Sequence, residues 1–208
     1  MKHSVPAHPD AAALADLIGS RLCHDLISPL GAIGNGVELL GMMPDLPQLG
    51  DCPEMGLIRE SVEAARARIR AFRMAFGVAG EMQRVAPAEI SSLITDLTGN
   101  SRLRITAEIG QDQPRGEIKL LMLALMCLTS ALPWGGAVRI AKEERFWTLR
   151  AEADRTRPEP ALWSWLDADQ SELPAAADVH FAIFGSTARQ SGRRPAWAVS
   201  ETEVTLRF

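Results

Sequence analysis

The residue best suited to chemistry is His24, in the run Arg21-Leu22-Cys23-His24-Asp25-Leu26-Ile27-Ser28-Pro29-Leu30. A neutral imidazole is a nucleophile and proton carrier near neutral pH. Here an acid follows it at once, a hydroxyl stands four positions on, and a proline comes next. Leu14, Ile18, Leu22, Leu26, Leu30, Ile33, Val37 and Leu40 recur at steps of three and four, the buried stripe of an amphipathic helix. His24 is two residues from both Leu22 and Leu26, so at about 100° per residue it projects roughly opposite the stripe, toward solvent. Its face also carries Arg21, Ser28, Gly31 and Asn35, polar or small residues that let another protein surface approach the ring. A lone helix histidine is most often an ordinary surface residue; the flanking residues argue for more.

The elements that must position His24 follow from the same periodicity. A first helix is expected from about Asp10 to Met42, kinked at Pro29, where the ring removes an amide donor and crowds the preceding turn. Pro44, Pro47 and Gly50 form a turn, and Asp51 can cap a second helix starting near Pro53. Met55, Ile58, Val62, Ala65, Ile69, Phe72 and Phe76 supply its stripe. Two such helices make an antiparallel hairpin that cannot bury both stripes alone. A dimeric four-helix bundle would do so, and packing on the rest of the chain is the alternative. Arg59, Arg66 and Arg73 are spaced by sevens with Arg70 nearby. Solvated charge is the default reading of such a row, and a docking edge for an acidic partner the sharper one.

Beyond residue 82 strand and helix patterns alternate. Helices are expected over 87–98, Glu117 to Leu132 and Ala175 to Gln190, and strands over Leu103 to Ile109, Val138 to Ala141, Trp147 to Ala151, Ala196 to Ser200 and Glu203 to Phe208. Trp163 and Trp165 fall in a short helical segment between them. The pattern suggests an α/β sandwich, with helices on one face of a mixed sheet. The tryptophans read as core or interface anchors. His180, in an apolar helix, reads as a satisfied core histidine, and His3 and His8 lie in an N-terminal tail.

Composition narrows the classes further. At 208 residues and 47% apolar, the chain can bury a core, and a formal charge of −4 gives no basis for nucleic-acid binding. The longest apolar run, from Leu120 to Leu128, is too short to span a bilayer and is followed by Pro133 and Gly135-Gly136. Lys2 precedes no continuous apolar segment, so a cytoplasmic location without membrane contact is expected. Cys23, Cys52 and Cys127 are widely spaced, against both a zinc site and a disulfide framework.

The stretch from His24 to Ile33 resembles the phospho-acceptor box of two-component histidine kinases: His, acid, two variable residues, Thr or Asn, then Pro. The longer form, Leu22 through Pro29 with Asn35-Gly36-Val37-Glu38-Leu39-Leu40, is similar more specifically to the ChpT-type histidine phosphotransferases of alphaproteobacteria, over roughly residues 14 to 80. That resemblance implies a fold of class α + α/β. Residues 1–82 would be a hairpin pairing into a dimeric four-helix bundle, and 83–208 a histidine-kinase ATPase-like α/β sandwich lacking nucleotide motifs. Ser130 stands where the kinases have a magnesium-holding asparagine, and Arg155-Thr156-Arg157-Pro158 stands where their Asp-x-Gly-x-Gly segment would be. A second glycine-rich loop is missing before the helix containing His180 and Phe184. Without glycine-freed amides to cradle phosphates, ATP has no evident site.

The implied activity is a phosphorelay step with no cofactor of its own and no ATP. His24 would take a phosphoryl group from the receiver aspartate of a hybrid kinase and pass it to response-regulator receivers, one DNA-binding and one single-domain. Mg²⁺ would sit on the receiver. Asp25 is the candidate to orient the ring, and Arg21, Ser28, Gly31, Asn35, Arg59 and Arg66 are the candidate partner contacts. Two other classes stay open: a sensor kinase, which would bind ATP specifically, and a silent scaffold, which would bind receivers and form no phosphohistidine.

Overall fold

The computed structural model describes residues 19, 26–27, 30–42, 53–80, 82–99, 101–168 and 174–208. The expected start of the first helix at Asp10, its kink at Pro29 and the turn from Pro44 to Asp51 lie outside them. Residues 26–27 are helical and residues 30–41 form helix α1. Helix α2 runs Pro53–Phe76 and stops where the Gly77 amide donates to the Arg73 carbonyl at 3.1 Å. A side chain at Gly77 would strike that carbonyl, which makes glycine the natural terminator.

Helix α2 buries two faces in succession. Met55, Val62 and Ile69 are buried at seven-residue spacing, and then Ala71, Met74 and Ala75 enter the main core. The expected stripe included Ile58, which is 43% exposed. On α1, Val37 is buried, whereas Ile33 and Leu40 are about half exposed, as is Leu26 just before it. The wide apolar face read from sequence is thus only half used within one chain.

The remainder is a mixed sheet with helices on one side. After the short strand β1 (Arg84–Val85), helix α3 (Pro87–Thr98) starts with Pro87 in its first turn, where the missing amide costs nothing. Then follow β2 (Leu103–Glu108), β3 (Gln113–Pro114), α4 (Arg115–Ala131), β4 (Gly136–Glu143) and β5 (Phe146–Glu152). Next come α5 (Pro160–Trp163), 3-10 turns at Ser164–Leu166 and Ala176–Asp178, α6 (Val179–Gln190), β6 (Ala196–Val199) and β7 (Glu203–Arg207). The large sheet has the order β2-β4-β5-β7-β6, with β2 parallel to β4 and the other neighbours antiparallel. The register aligns Ile140, Leu149 and Leu206, all fully buried, beneath the helices.

Helix α4 is apolar nearly all round, with Ile118 and the run Leu120–Leu125 buried, so it forms the centre of the domain rather than a surface. Trp163 packs edge-on against Phe181 at 5.4 Å and against Trp197 at 5.6 Å, which pins the α5 segment over the sheet. Two features depart from expectation. β1 and β3 pair into a separate two-stranded ladder, invisible to periodicity because each strand has two residues. The helix expected from Ala175 opens as a 3-10 turn and becomes α-helical only at Val179. Among the described residues, no helix is long and apolar enough to cross a membrane.

Gly185 on α6 sits directly under the backbone carbonyl of Trp165. Gly185→Ala raises helix propensity by roughly 1 kcal/mol, yet the added carbon would collide with that carbonyl. The expected net effect is destabilisation of about 1–3 kcal/mol in urea unfolding; a stabilised variant would contradict this packing.

Candidate functional site

The hairpin is antiparallel and tightly apposed. A side chain on Gly19 would come within 2.9 Å of the Phe76 Cβ, and one on Gly34 would meet the Arg66 guanidinium. Arg66 donates to the carbonyls of Leu30 at 3.4 Å and Gly31 at 3.1 Å and pairs with Glu63 at 2.6 Å. It fastens α1 to α2, and the absence of a side chain at Gly34 makes room for it. His24, Asp25, Arg21 and Ser28 lie outside the described residues. In sequence they fall between Gly19, at the Phe76 end of the hairpin, and Gly31, at the Arg66 contact.

A groove of about 470 Å³ lies between the hairpin and the α/β portion. Ile27 and Gly31 line it from the first helix, Arg66, Arg70 and Arg73 from α2, Glu89 and Asp96 from α3, and Arg115 from the start of α4. Arg70 reaches across to Asp96 with two hydrogen bonds, at 2.9 and 3.0 Å. The bond to Asp96 raises the Arg70 pKa against an opposing effect of burial. Arg115 is shifted the other way: burial lowers its pKa, the charge of Arg73 lowers it further, and Glu89 only partly offsets them. Arg66 and Arg70 are thus neutralised within the chain, while Arg73 and Arg115 place two positive charges against one carboxylate. The groove therefore carries an excess of positive charge.

Of the partner contacts expected from sequence, Gly31 and Arg66 come together in this groove. Arg66 is occupied as a clamp. Asn35 and Arg59 are exposed and do not line it. Sequence reasoning missed Asp96, Glu89 and Arg115, because nothing in the local pattern of α3 or α4 signals a partner 26 residues away on α2.

Two other polar clusters are fully engaged within the fold. The Glu117 carboxylate accepts from Lys142 at 2.6 Å, Trp147 Nε1 at 2.9 Å and Arg193 at 2.9 Å, tying α4 to β4, β5 and the loop after α6. Burial pushes this carboxyl up, and the bonds from Lys142 and Trp147 with the nearby charges more than reverse it, so its pKa is lowered. His180 is buried, with Nε2 3.1 Å from the Ser130 hydroxyl. Among the described residues, no group of three or more His, Cys, Asp or Glu could hold a metal ion.

Burial lowers the His180 pKa below its ordinary 6.5, with Asp178 and a backbone hydrogen bond at Ala177 opposing. The unfolded chain therefore binds the proton more readily than the folded one. The contribution of neutral His180 to stability is fully present above about pH 6.5 and is lost as pH falls toward the lower, folded-state value. The expected outcome is that wild-type Tm drops more steeply below pH 6.5 than that of His180→Gln. Parallel profiles would show that His180 is not buried neutral.

Comparison with known proteins places these features. Residues 87–203, more than half the chain, match the family model described as "Histidine phosphotransferase C-terminal domain". The chain is 35% identical over 144 residues to the protein phosphotransferase ChpT of Brucella abortus (strain 2308), an alignment covering 67% of this chain and 66%, just under two thirds, of that relative. The fold superposes on the solved structure of a bacterial phosphotransferase with TM-score 0.67 and 24% identity, covering 98% of this chain and 99% of the other. With its one-sided α/β portion matched almost end to end, the chain belongs to the histidine phosphotransferase family.

Proposed function

We propose that this chain is the histidine phosphotransfer intermediate of a two-component phosphorelay, with His24 as the carrier. The observation that supports this most is the placement of the arginine-rich groove. Ile27, three residues after His24, lines it. Three peptide units span at most about 11 Å, which bounds how far the His24 backbone can lie from that of Ile27. A receiver domain, which gathers carboxylates around its phospho-acceptor aspartate, meets complementary charge in Arg73 and Arg115 and small residues on the helix face around Gly31.

In the proposed step, the neutral imidazole attacks the phosphorus of a receiver aspartyl phosphate in line. The N–P bond forms, the acyl P–O bond breaks, and the carboxylate leaves. The reverse step hands the group to a second receiver. Both intermediates have high transfer potential, so the protein's contribution is positioning, with Mg²⁺ held by the receiver. Asp25 would orient the ring, and Arg21, Ser28 and Asn35 would complete the docking edge around Gly31. Arg66 acts by holding α1 in register.

The donor is a phosphorylated receiver of a hybrid kinase rather than ATP, and the chain acts in the cytoplasm. Three features support the first point. Thr156, within the segment that stands in place of the kinases' Asp-x-Gly-x-Gly, is tied through its hydroxyl to the Ser200 carbonyl. Arg155 stacks on Trp134 at 3.5 Å, and the α5 segment is packed down by Trp163. The half-exposed Leu26, Ile33 and Leu40 with Leu57 and Ile58 on α2 support a homodimer through a four-helix bundle formed by residues 1–82, leaving 83–208 to flank the docked receiver.

The test is transfer of labelled phosphoryl from a phosphorylated receiver to the purified chain, beside incubation with labelled ATP. Acid-labile label is expected from the receiver and none from ATP. His24→Ala should abolish labelling with receiver affinity little changed, and Arg73→Glu should weaken receiver binding about tenfold. Label from ATP alone would make the chain a kinase, and binding without label would make it a scaffold.

A further inference from the structure

The face of the sheet turned away from the helices is uncovered and oddly charged. Along β4 and β5 the inward residues are buried, while Arg139 and Arg150 point outward and are exposed. The register sets these two arginines directly opposite each other, and it sets Glu152 opposite Glu203 on the β5–β7 pair. Like charges facing each other across a ladder destabilise it, and a one-place exchange of Arg and Glu would have made attractive pairs instead. Arg104 on the neighbouring strand β2 adds a third guanidinium, opposite Ala137 and diagonal to Arg139. Among the described residues, none of these three arginines makes an ion pair or a side-chain hydrogen bond.

A second feature adjoins this face. A cleft of about 450 Å³ opens where β2 and β4 begin and β5 ends, with Arg102, Arg104, Trp134 and Arg155 in its wall. Trp134 is 45% exposed, and the Arg155 guanidinium lies 3.5 Å from the centroid of its ring. Trp147, Trp163 and Trp165 are buried by contrast. An exposed tryptophan stacked by arginine beside a cleft is the side-chain chemistry of an interface anchor.

We infer that Trp134 with Arg155, together with Arg104, Arg139 and Arg150, forms a second docking surface, distinct from the His24 groove, for an acidic segment of a partner protein. The segment's carboxylates meet the unpaired guanidiniums, and an apolar side chain enters the cleft beside Trp134. A protein occupant fits better than a nucleic acid. Glu152, Asp154 and Glu203 are interleaved with the arginines, so the surface admits carboxylates set apart along a segment and repels an unbroken line of charge such as a phosphate backbone.

The repulsion between Arg139 and Arg150 provides an independent readout. Arg139→Glu turns a like-charge pair into an attractive one, so it should raise Tm by about 1–4 °C while weakening the partner. A purely structural surface would show no such opposition. The test uses the full chain and a fluorescein-labelled peptide with spaced carboxylates, Glu-Ser-Glu-Ser-Phe-Leu-Ser-Glu, followed by anisotropy at low and physiological salt, with a twenty-nucleotide oligothymidylate as competitor. Saturable binding is expected, weakened about tenfold by Arg139→Glu and by Trp134→Ala, and unchanged by Arg73→Glu and His24→Ala. Three results would overturn the inference: binding indifferent to both surface substitutions, loss on Arg73→Glu instead, or tighter binding of the oligonucleotide at the same residues. Failure here leaves His24 phosphotransfer untouched, because that is read out by a different substitution.

Discussion

Helix α2 carries the architecture because two of its faces are buried against two different parts of the chain. Met55, Val62 and Ile69 are buried outside the main core, while Ala71, Met74 and Ala75 are embedded in the core of the α/β portion. A helix with its last turns locked into a domain cannot swing freely, so the hairpin projects from the sheet at a set angle. Polar latches refine that angle. Arg70 grips Asp96 on α3, Arg66 grips the carbonyls of Leu30 and Gly31, and Lys119 donates to the Gly77 carbonyl at the exit from α2. Arg70 is half exposed, so its ion pair adds geometry more than stability.

The groove exists because of that arrangement. Its walls come from four segments far apart in sequence, and its charge excess arises because Asp96 and Glu63 each satisfy one arginine while Arg73 and Arg115 are left with Glu89 as the one further carboxylate in the lining. Transfer between two activated phosphoryl groups depends chiefly on alignment, so a relay protein needs little catalytic machinery of its own. After β5, the Thr156 hydroxyl bond to the Ser200 carbonyl and the packing of Trp163 on Phe181 hold the chain against the body of the α/β portion.

Much of this was legible in the sequence. The bounds of α3 follow from Pro87 and the periodicity of Ile90, Leu93 and Ile94, and the paired strands around Ile140, Leu149 and Leu206 follow from strict alternation. The His24 box is read from neighbouring residue types expected on one helix face, and it lies outside the described residues. Arg115 and Asp96 escaped notice because their roles depend on a tertiary approach to α2 that no local spacing encodes. Ile58 misled for the opposite reason. Its periodicity is helical and apolar, and periodicity alone does not say whether the covering surface belongs to the same chain or to a second copy. The like-charge pairing of Arg139 and Arg150 needed the strand register, since a shift of one residue would have set Arg139 opposite Leu149 or Ala151.

The most direct measurement of the central claim is to locate the phosphate on the chain after mixing it with a phosphorylated receiver, by ³¹P NMR and peptide mapping under alkaline conditions. The expected result is a single acid-labile phosphoramidate on the peptide containing His24. Phosphate on any other residue, or an acid-stable ester, would contradict a relay through this histidine.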